Sequence, residues 1–563
     1  MKIFPSAGLI TALMLLQLSV KSQLLVPRTE GFTRTDSLRG SLNENRNWWD
    51  VMRYNISVTP DYKSKTITGK TEIIFSPSRD KTISQKMQID LQEPLIIDSV
   101  ISGTKKLVFN KQDTNSWLVN FSVFKKPVPE KSAKATIIQD ESITIYYHGK
   151  PREAIRPPWD GGWIWKKDLK DRPWMSVACQ GLGSSVWYPC KDHQSDEPDN
   201  GASLTINVPD TMMAVANGRL IKTAKANGLA TYSWEVKNPI NNYNIIPYIG
   251  KYVHFGETYK GEIGKLTCDY WVLDYNLEKA KEQFKQVPKM LQAFEYWFGP
   301  YPFYEDGYKL VESPHLGMEH QSAVAYGNYF LNGRQGRGSS TAMLFDYIIV
   351  HESGHEWFAN NITTKDIADM WVHESFTCYS ETIYLEYWFG KDSANKYLQA
   401  QRRGIGNKAT MIGTYGVNKE GADIYNKGAN LIHTIRQIIN NDEKFRRILR
   451  GLNKTFYHQT INTKQLEDYI SIQGGFDFSK IFDQYLRTTK VPVLQWKYAA
   501  GLLQTKWSNC NDGFTMPIRF TDAKGKVVTI IPNSSNWTNT KATIIEAAAD
   551  FWDKNFYTTY EKL

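Results

Sequence analysis

The spacing of apolar residues changes twice along this chain of 563 residues, and the two changes divide it into three regions. Up to about residue 255, β-branched and aromatic residues alternate with polar ones, as in the stretch Tyr54–Thr59. Successive side chains of a strand point to opposite faces, so this period of two predicts an all-β region. From residue 256 apolar residues recur every three or four positions, which predicts helices, and after Val491 the alternation returns.

The chain is therefore predicted to be a multidomain α+β protein. Its N-terminal domain is expected to be all-β, its middle domain mostly helical, and its C-terminal domain a small β-sandwich. The predicted divisions are a signal peptide at 1–22, a polar linker at 23–45, and domains at 46–255, 256–488 and 489–563. Helices are predicted at 277–297, 341–360, 373–389, 393–402 and 429–440.

The N-terminus has the features of a secretory signal peptide. Lys2 precedes the apolar stretch Ile3–Val20, and short residues near Ser22 suit cleavage after that position. The alternative is an uncleaved membrane anchor, but Pro5 and Gln17 interrupt the stretch and would make it span a bilayer poorly. We expect an exported protein, periplasmic or extracellular. No second apolar stretch of about 18 residues follows, so stable membrane insertion after cleavage is not expected.

Charge and cysteine content exclude two classes of protein. The net charge of +10 comes from 68 basic and 58 acidic residues spread along the chain, and a nucleic-acid partner would require a clustered basic stripe. The five cysteines are an odd and sparse set, which is not a disulfide framework. Cys179 and Cys190 flank one loop region, and whether they pair is left open.

The strongest chemical signal is His351-Glu352-Ser353-Gly354-His355. Residues four apart lie on the same face of a helix, so the two imidazoles can ligate one Zn²⁺ while Glu352 reaches a water beside the metal. The apolar residues before and after the motif predict a buried helix. Rigid, buried helices hold ligands in place, as a metal site requires.

A catalytic zinc has three protein ligands and one open position, so a third ligand is needed. The candidates downstream are Asp366, Asp369, His373 and Glu374. Glu374 lies 19 residues after His355, at the start of the next predicted helix, which is the gluzincin arrangement. The third histidine of a metzincin is absent from the sequence that follows the motif. Glu374 is the favoured ligand and His373 the competing one.

Further motifs extend the pattern on both sides. Upstream stands Leu316-Gly-Met-Glu-His, downstream stands Tyr425-Asn-Lys-Gly, and the N-terminal domain contains Ala178-Cys-Gln-Gly and Pro189-Cys-Lys-Asp. In this combination the chain resembles the aminopeptidase N family of gluzincin zinc metallopeptidases, which includes leukotriene hydrolase. The resemblance covers about residues 45–560. It implies an N-terminal saddle-like β domain, a thermolysin-like catalytic domain and one Zn²⁺ per chain, in a short form without the family's large C-terminal helical domain.

The resemblance also implies roles for individual residues. Glu319 would bind the free α-ammonium of a peptide with support from Gln180, and Gly317 and Met318 would lie along the substrate strand. Tyr425 would stabilise the oxyanion, and Glu352 would act as the general base. The implied activity is removal of N-terminal amino acids from peptides or proteins with a free N-terminus, by attack of water on the first peptide bond.

The chain departs from the family pattern at three positions. Leu316 stands for a glycine, His320 for an asparagine, and Ser375 for the glycine after the third ligand. These changes put substrate fit and pH profile in doubt but leave the ligands and the base intact. Three alternatives stay open: a gluzincin endopeptidase, which would not need Glu319, a catalytically weak member of the family that serves as a scaffold, and epoxide hydrolysis as in leukotriene hydrolase.

Overall fold

The alternation of apolar and polar residues produces long strands in the N-terminal region. In β1 (Trp49–Asp61), every second side chain from Tyr54 to Pro60 is buried, as expected for a strand with one face on a core. The computed structural model describes residues 31–77, 86–121, 140–179, 181–544 and 551–563. The predicted signal peptide and Gln180 lie outside the described residues.

The N-terminal strands form three sheets. After β1 they are β2 (Thr66–Pro77), β3 (Lys86–Asp90), β4 (Ile96–Ser102), β5 (Lys105–Leu107), β6 (Phe109–Lys111), β7 (Ser116–Asn120), β8 (Glu141–Gly149), β9 (Gly162–Lys167), β10 (Pro173–Ala178), β11 (Ala202–Pro209), β12 (Met213–Val215), β13 (Arg219–Ala226), β14 (Leu229–Val236) and β15 (Tyr248–Gly250). The largest sheet has the order β13-β14-β11-β1-β2-β8-β4-β5, and the smaller ones have the orders β12-β15-β10-β9 and β3-β7-β6. The predicted all-β domain is confirmed.

A five-stranded sheet connects this region to the helical one. Its strands are β16 (Tyr252–Gly261), β17 (Gly264–Leu273), β18 (Tyr308–Glu312), β19 (Gly317–Met318) and β20 (Val324–Tyr326), in the order β16-β17-β18-β20-β19. The predicted domain boundary at residue 255 falls inside β16. The N-terminal core includes Met318 and Ala325, so the β domain packs directly against the edge strand β19.

The middle region is mostly helical, as predicted. A short helix, α1 (Arg34–Gly40), precedes it in the segment predicted to be a linker. The others are α2 (Leu277–Gln283), α3 (Gln286–Phe298), α4 (Tyr347–Gly354), α5 (Trp371–Gln401), α6 (Asn426–Ile439), α7 (Asp442–Thr455), α8 (Thr463–Gly474) and α9 (Ser479–Leu486). Two short strands, β21 (Ile362–Thr364) and β22 (Gln459–Ile461), pair beside them. No helix among the described residues is long and apolar enough to cross a membrane.

Three helix boundaries differ from the prediction for local reasons. The helix predicted at 277–297 is interrupted between α2 and α3, because Pro288 cannot donate a helical hydrogen bond and in a continuous helix its ring would clash with the carbonyl of Phe284. The helix predicted at 341–360 is shorter, since α4 ends at Gly354 and a wide turn follows at Glu356–Asn360. The long α5 passes through Gly390, whose φ of 82° divides it into the two predicted helices.

The C-terminal residues return to strands, as predicted. They are β23 (Val493–Ala499), β24 (Leu502–Ser508), β25 (Ile518–Thr521), β26 (Val527–Ile530), β27 (Thr538–Lys541) and β28 (Thr559–Lys562). They form a sheet of order β27-β24-β23-β28 and the separate pair β25-β26. Trp507 and Phe520 of these strands belong to the same apolar core as Phe482 and Tyr485 of α9. The C-terminal strands and the helical region therefore share one core.

Candidate active site

Helix α4 is fixed at its first turn by a buried carboxylate. Asp346 accepts hydrogen bonds from the backbone N–H groups of Ile348 (3.0 Å) and Ile349 (3.3 Å), which is the usual role of an aspartate at an N-cap. The helix then buries its apolar residues and carries His351 in its last turn. His355 is the next residue after the helix and still has helical backbone angles, so both imidazoles face the same side.

The two histidines and Glu374 converge in a buried cluster. Glu374 Oε2 lies 3.8 Å from His351 Nε2 and 3.5 Å from His355 Nε2. Zinc bonded to nitrogen and oxygen at about 2.0–2.1 Å in a tetrahedral arrangement holds its ligand atoms about 3.3–3.4 Å apart. The observed separations therefore suit a zinc ion without large movement of any ligand.

The hydrogen bonds behind the histidines orient them toward such an ion. His351 Nδ1 lies 2.6 Å from Glu381 Oε1, and His355 Nδ1 lies 3.1 Å from the carbonyl oxygen of Phe358. Because both partners are acceptors, each imidazole carries its proton on Nδ1 and presents a lone pair at Nε2.

Three acceptor atoms therefore point at one another. Glu374 Oε2 is buried and forms no hydrogen bond of normal geometry with the described residues. Two nitrogen lone pairs and a carboxylate oxygen repel one another unless a cation lies between them. The donor set of two imidazoles and one carboxylate suits zinc, and His351, His355 and Glu374 would hold it.

Helix α5 supplies Glu374 from its first turn. Burial acts to raise the pKa of its carboxyl, but the adjacent imidazole of His355 and then that of His351 outweigh burial, so the pKa is lowered. The adjacent His373 is not part of the cluster. Its Nε2 accepts a hydrogen bond from the backbone N–H of Thr364 at 2.9 Å, so it lacks a free ligand atom on that nitrogen. The structure thus favours Glu374 over the competing ligand.

Glu352 lies on α4, directly after His351, and its side chain faces β19. A Cβ atom at Gly317 would lie 2.6 Å from Glu352 Oε1 and 2.7 Å from Ile348 Cδ1, so a larger residue there would displace the side chains of Glu352 and Ile348. Burial raises the pKa of the Glu352 carboxyl to about 7. A divalent ion beside it would lower the pKa again, which keeps the group able to accept a proton at neutral pH.

The carboxylate of Glu319 lies next to Glu352. The ligand-type atoms of Glu319, Glu352 and His355 all lie within 4.8 Å of one another. Tyr243 donates its hydroxyl to Glu319 Oε1 at 3.2 Å, and Asn360 Nδ2 donates to the Glu319 backbone oxygen at 2.9 Å. Burial raises the pKa of Glu319, and the carboxylate lacks a basic side chain as a partner among the described residues. An incoming ammonium group would supply that charge.

Tyr425 lies beside the metal ligand His351. It precedes α6, and its ring lies almost parallel to that of His351 with centroids 6.2 Å apart. Burial raises the pKa of the Tyr425 hydroxyl well above its usual range, so it stays protonated and can donate. The structure therefore places a neutral donor beside the predicted metal.

Strand β19 borders the site at the edge of its sheet. Gly317 and Met318 pair with β20 on one side only, as the last strand in the sheet order. An edge strand presents backbone groups to which an extended peptide can bind. Gly317 and Met318 thus lie on an edge strand, and their role along the substrate stays a prediction. Gln180, the fourth predicted substrate residue, lies outside the described part of the chain.

Sequence reasoning missed two residues that complete the site. Tyr243 reaches Glu319 from a short turn of the N-terminal domain, and Glu381 reaches His351 from the middle of α5. No spacing rule in the sequence links Tyr243 or Glu381 to the motifs. Glu381 does lie seven residues after Glu374, which is about two helical turns, and therefore on the same face of the helix. His320 is one of the three departures from the family pattern, and its Nδ1 forms a hydrogen bond with the buried hydroxyl of Tyr248.

The chain is similar to several known peptidases. The model of the peptidase family M1 domain matches residues 278–485. The leucyl aminopeptidase of Saccharolobus solfataricus is 21% identical over 420 residues, which cover 72% of this chain and 51% of that protein. Aminopeptidase B of Rattus norvegicus is 23% identical over 320 residues, which cover 54% and 46%. The chain thus spans about half the length of these curated relatives.

A solved structure shows the same fold. The M1 zinc metallopeptidase from Deinococcus radiodurans, crystallised with a Tyr-Ser-Ala substrate, matches with a TM-score of 0.62 at 18% identity. The match covers 78% of this chain and 95% of that one. Zinc, the predicted cofactor, is the metal of that structure's family. Residues 278–485 are therefore a peptidase family M1 domain, and the resemblance to the aminopeptidase N family inferred from the sequence is confirmed.

Proposed function

We propose that this protein is a zinc aminopeptidase that removes single amino acids from the free N-terminus of peptides. One observation carries the proposal: the buried carboxylate of Glu319 lies beside Glu352 and the predicted metal ligand His355, and among the described residues a tyrosine hydroxyl is its only side-chain hydrogen-bond partner. A substrate ammonium at Glu319 would place the first peptide bond of the chain, and no later one, next to Glu352. The family and the fold support the proposal.

A few side chains and the metal would share the steps of peptide hydrolysis. His351, His355 and Glu374 would hold zinc, which when bound would polarise the scissile carbonyl and make water a better nucleophile at neutral pH. Glu352 takes a proton from the attacking water and then delivers it to the leaving amide nitrogen, so one carboxylate serves as base and acid in turn. Tyr425 donates its hydroxyl to the oxygen that gains negative charge.

Selection of the free N-terminus follows from burial. Glu319 is only 4% exposed, and a charged carboxylate at that depth is costly without a counter-charge. A free α-ammonium provides it, whereas an acetylated amine leaves the carboxylate unpaired. Tyr243 holds one carboxylate oxygen in place, so the ammonium meets a preformed partner.

The test is hydrolysis of aminoacyl p-nitroanilides by the purified protein, each compared with its N-acetylated twin, with and without a zinc chelator. We expect cleavage of the free-amine compounds only, lost with chelator and restored by zinc. Equal cleavage of the blocked compounds would instead support the endopeptidase alternative. Zinc binding without cleavage of either set would support the scaffold alternative.

We also propose that the protein is exported. The support is Lys2 followed by the apolar stretch Ile3–Val20, outside the described residues. Expression of the full chain in its own host, followed by fractionation and N-terminal sequencing, tests this. We expect a mature protein that begins after Ser22 in the periplasm or medium, and an intact N-terminus in the cytoplasm would contradict the proposal.

A further inference from the structure

Helix α1 is a fixed part of the structure rather than a linker. Thr33 and Asp36 form a capping box, in which the Asp36 backbone N–H lies 3.1 Å from the Thr33 hydroxyl and the Thr33 backbone N–H lies 2.8 Å from the Asp36 carboxylate. At the other end, the buried guanidinium of Arg46 donates to the carbonyls of Leu38 (2.6 Å) and Arg39 (2.9 Å). A cation at a helix C-terminus stabilises its unpaired carbonyls.

One side of α1 touches a loop of the catalytic domain. The backbone N–H of Asn418 donates to the carbonyl of Asp36 at 3.1 Å. A Cβ atom on Gly40 would lie 2.3 Å from the carbonyl carbon of Val417 and 2.5 Å from the Asn418 nitrogen. Because these are backbone atoms, any larger residue at position 40 must push the helix away from the loop.

The other side of α1 touches the N-terminal β domain. Arg39 Nε forms an ion pair with Asp192 Oδ2 at 3.2 Å, and its NH1 donates to the carbonyl of Gly181 at 3.3 Å. His193 Nε2 donates to the carbonyl of Gly40 at 3.2 Å. The side chains of Arg39 and Asp192 are only 11% and 5% exposed, so their attraction is weakly screened by solvent.

Helix α1 lines one side of a cavity of about 60 Å³ beside Glu319. Its lining includes Met318, Glu319 and Tyr243 of the candidate site, Arg39 and Gly40 of α1, and Val417 of the loop that α1 contacts. None of the three predicted zinc ligands lines it. The cavity therefore begins where the substrate ammonium would bind and extends away from the metal.

We propose that α1 closes the end of the cleft beyond Glu319 and forms the wall of the pocket that receives the side chain of the first substrate residue. This rests on the proposed aminopeptidase function. With the ammonium on Glu319 and the carbonyl at the metal, the first Cα lies between them and its side chain leaves beside Met318. Arg39 and Gly40 are the specificity-determining residues, and they act through the size of the pocket.

The volume of the cavity indicates which size of first substrate residue the protein should prefer. A cavity of about 60 Å³ is several times the volume needed by one water molecule. We expect it to favour a side chain of the size of leucine or methionine over tryptophan. A larger first residue would require α1 to move.

The experiment compares kcat/KM for alanyl, leucyl and tryptophanyl p-nitroanilides among four proteins: the wild type, Arg39→Ala, Gly40→Val and the control Arg34→Ala. Arg34 is exposed on the same helix, so its replacement removes the same charge without opening the pocket. We expect the tryptophan-to-alanine ratio of kcat/KM to rise about tenfold or more in Arg39→Ala and Gly40→Val, and to stay unchanged in the control. Zinc content and the midpoint of thermal unfolding are measured alongside.

Each outcome decides a different point. An unchanged ratio in a folded, zinc-loaded Arg39→Ala protein overturns the role of α1, and this variant suffices if Gly40→Val does not fold. An equal loss of activity on all three substrates also overturns it, because that indicates a structural effect. If the wild type cleaves no substrate with a free N-terminus, the proposed function fails, independently of any variant.

Discussion

The carboxylate of Glu381 offers a sharp test of how the metal ligands are oriented. It accepts from His351 Nδ1 at 2.6 Å, from Gln401 Nε2 at 3.1 Å, and from the hydroxyl of Tyr397, and it is 1% exposed. Glu381→Gln keeps the size of the side chain but leaves one acceptor oxygen and adds an NH₂ group. At least one of the three buried donors then faces another donor.

The expected loss of zinc affinity follows from the number of acceptor oxygens that remain at position 381. Loss of the partner behind a ligating histidine costs about 10- to 100-fold in metal affinity, which corresponds to about 1.4–2.7 kcal/mol. We expect that range for Glu381→Gln, because the remaining oxygen satisfies two donors, Tyr397 and Gln401, when the NH₂ group is the one that faces His351 Nδ1. Thr377→Val is the matched control. It removes the contact of 3.0 Å between the Thr377 hydroxyl and His355 Nδ1 but leaves the Phe358 carbonyl in place.

The assay is competition for zinc against a chelating dye at neutral pH, with circular dichroism to confirm folding. We expect the dissociation constant to rise by the stated factor in Glu381→Gln and by less than about threefold in Thr377→Val. A Glu381→Gln protein that is folded and binds zinc within twofold of the wild type would refute the argument that this carboxylate orients His351. The same result would remove the tautomer assignment on which the zinc fit depends.

Three further variants test the chemistry, and one tests stability. Glu352→Gln should keep its zinc and lose about 10²–10⁴-fold in kcat, measured by metal analysis and hydrolysis, whereas full activity would exclude it as the base. Glu319→Ala should lose activity on free N-termini while its zinc affinity stays close to that of the wild type. Tyr425→Phe should lower kcat about 10²–10³-fold, and a change in KM alone would contradict an oxyanion role. Burial and then Arg436 lower the pKa of His433 to about 3. Between about pH 3 and 6.5 the unfolded chain therefore binds more protons, so stability falls with decreasing pH by up to ~1.4 kcal/mol per unit. Denaturant unfolding at about pH 6.5 and 4.5 should show a smaller decrease for His433→Asn, and an unchanged decrease would rule out this contribution.

The metal ligands were predictable because a helix fixes the spacing of its side chains. His351 and His355 share a face by their separation of four, and the short distance to the next helix left few candidates for the third ligand. Tyr243 could not be predicted in the same way. It reaches the site through the packing of one domain on another, and no local pattern in the sequence describes such a contact.

Other features were present in the sequence but were not recognised. The segment around α1 was interpreted as a linker because it is polar, although Thr33 and Asp36 have the spacing of a capping box. Helix α7 was not predicted, although Phe445, Ile448 and Leu452 recur at helical spacing among its charged residues. In both cases the charged and polar residues concealed a signal that lies in the position of a few side chains.

The position of Met318 in the core of the N-terminal domain has a consequence for dissecting the protein. A recombinant fragment starting at residue 256 would retain His351, Glu352, His355 and Glu374, and would satisfy every motif by which the catalytic domain is recognised. It would nevertheless expose the apolar face of β19 and β20 to water, and the strand that guides the substrate would lose its support. Transplanting this catalytic domain onto another N-terminal module would meet the same obstacle unless the new module filled the surface that Met318 and Ala325 now bury.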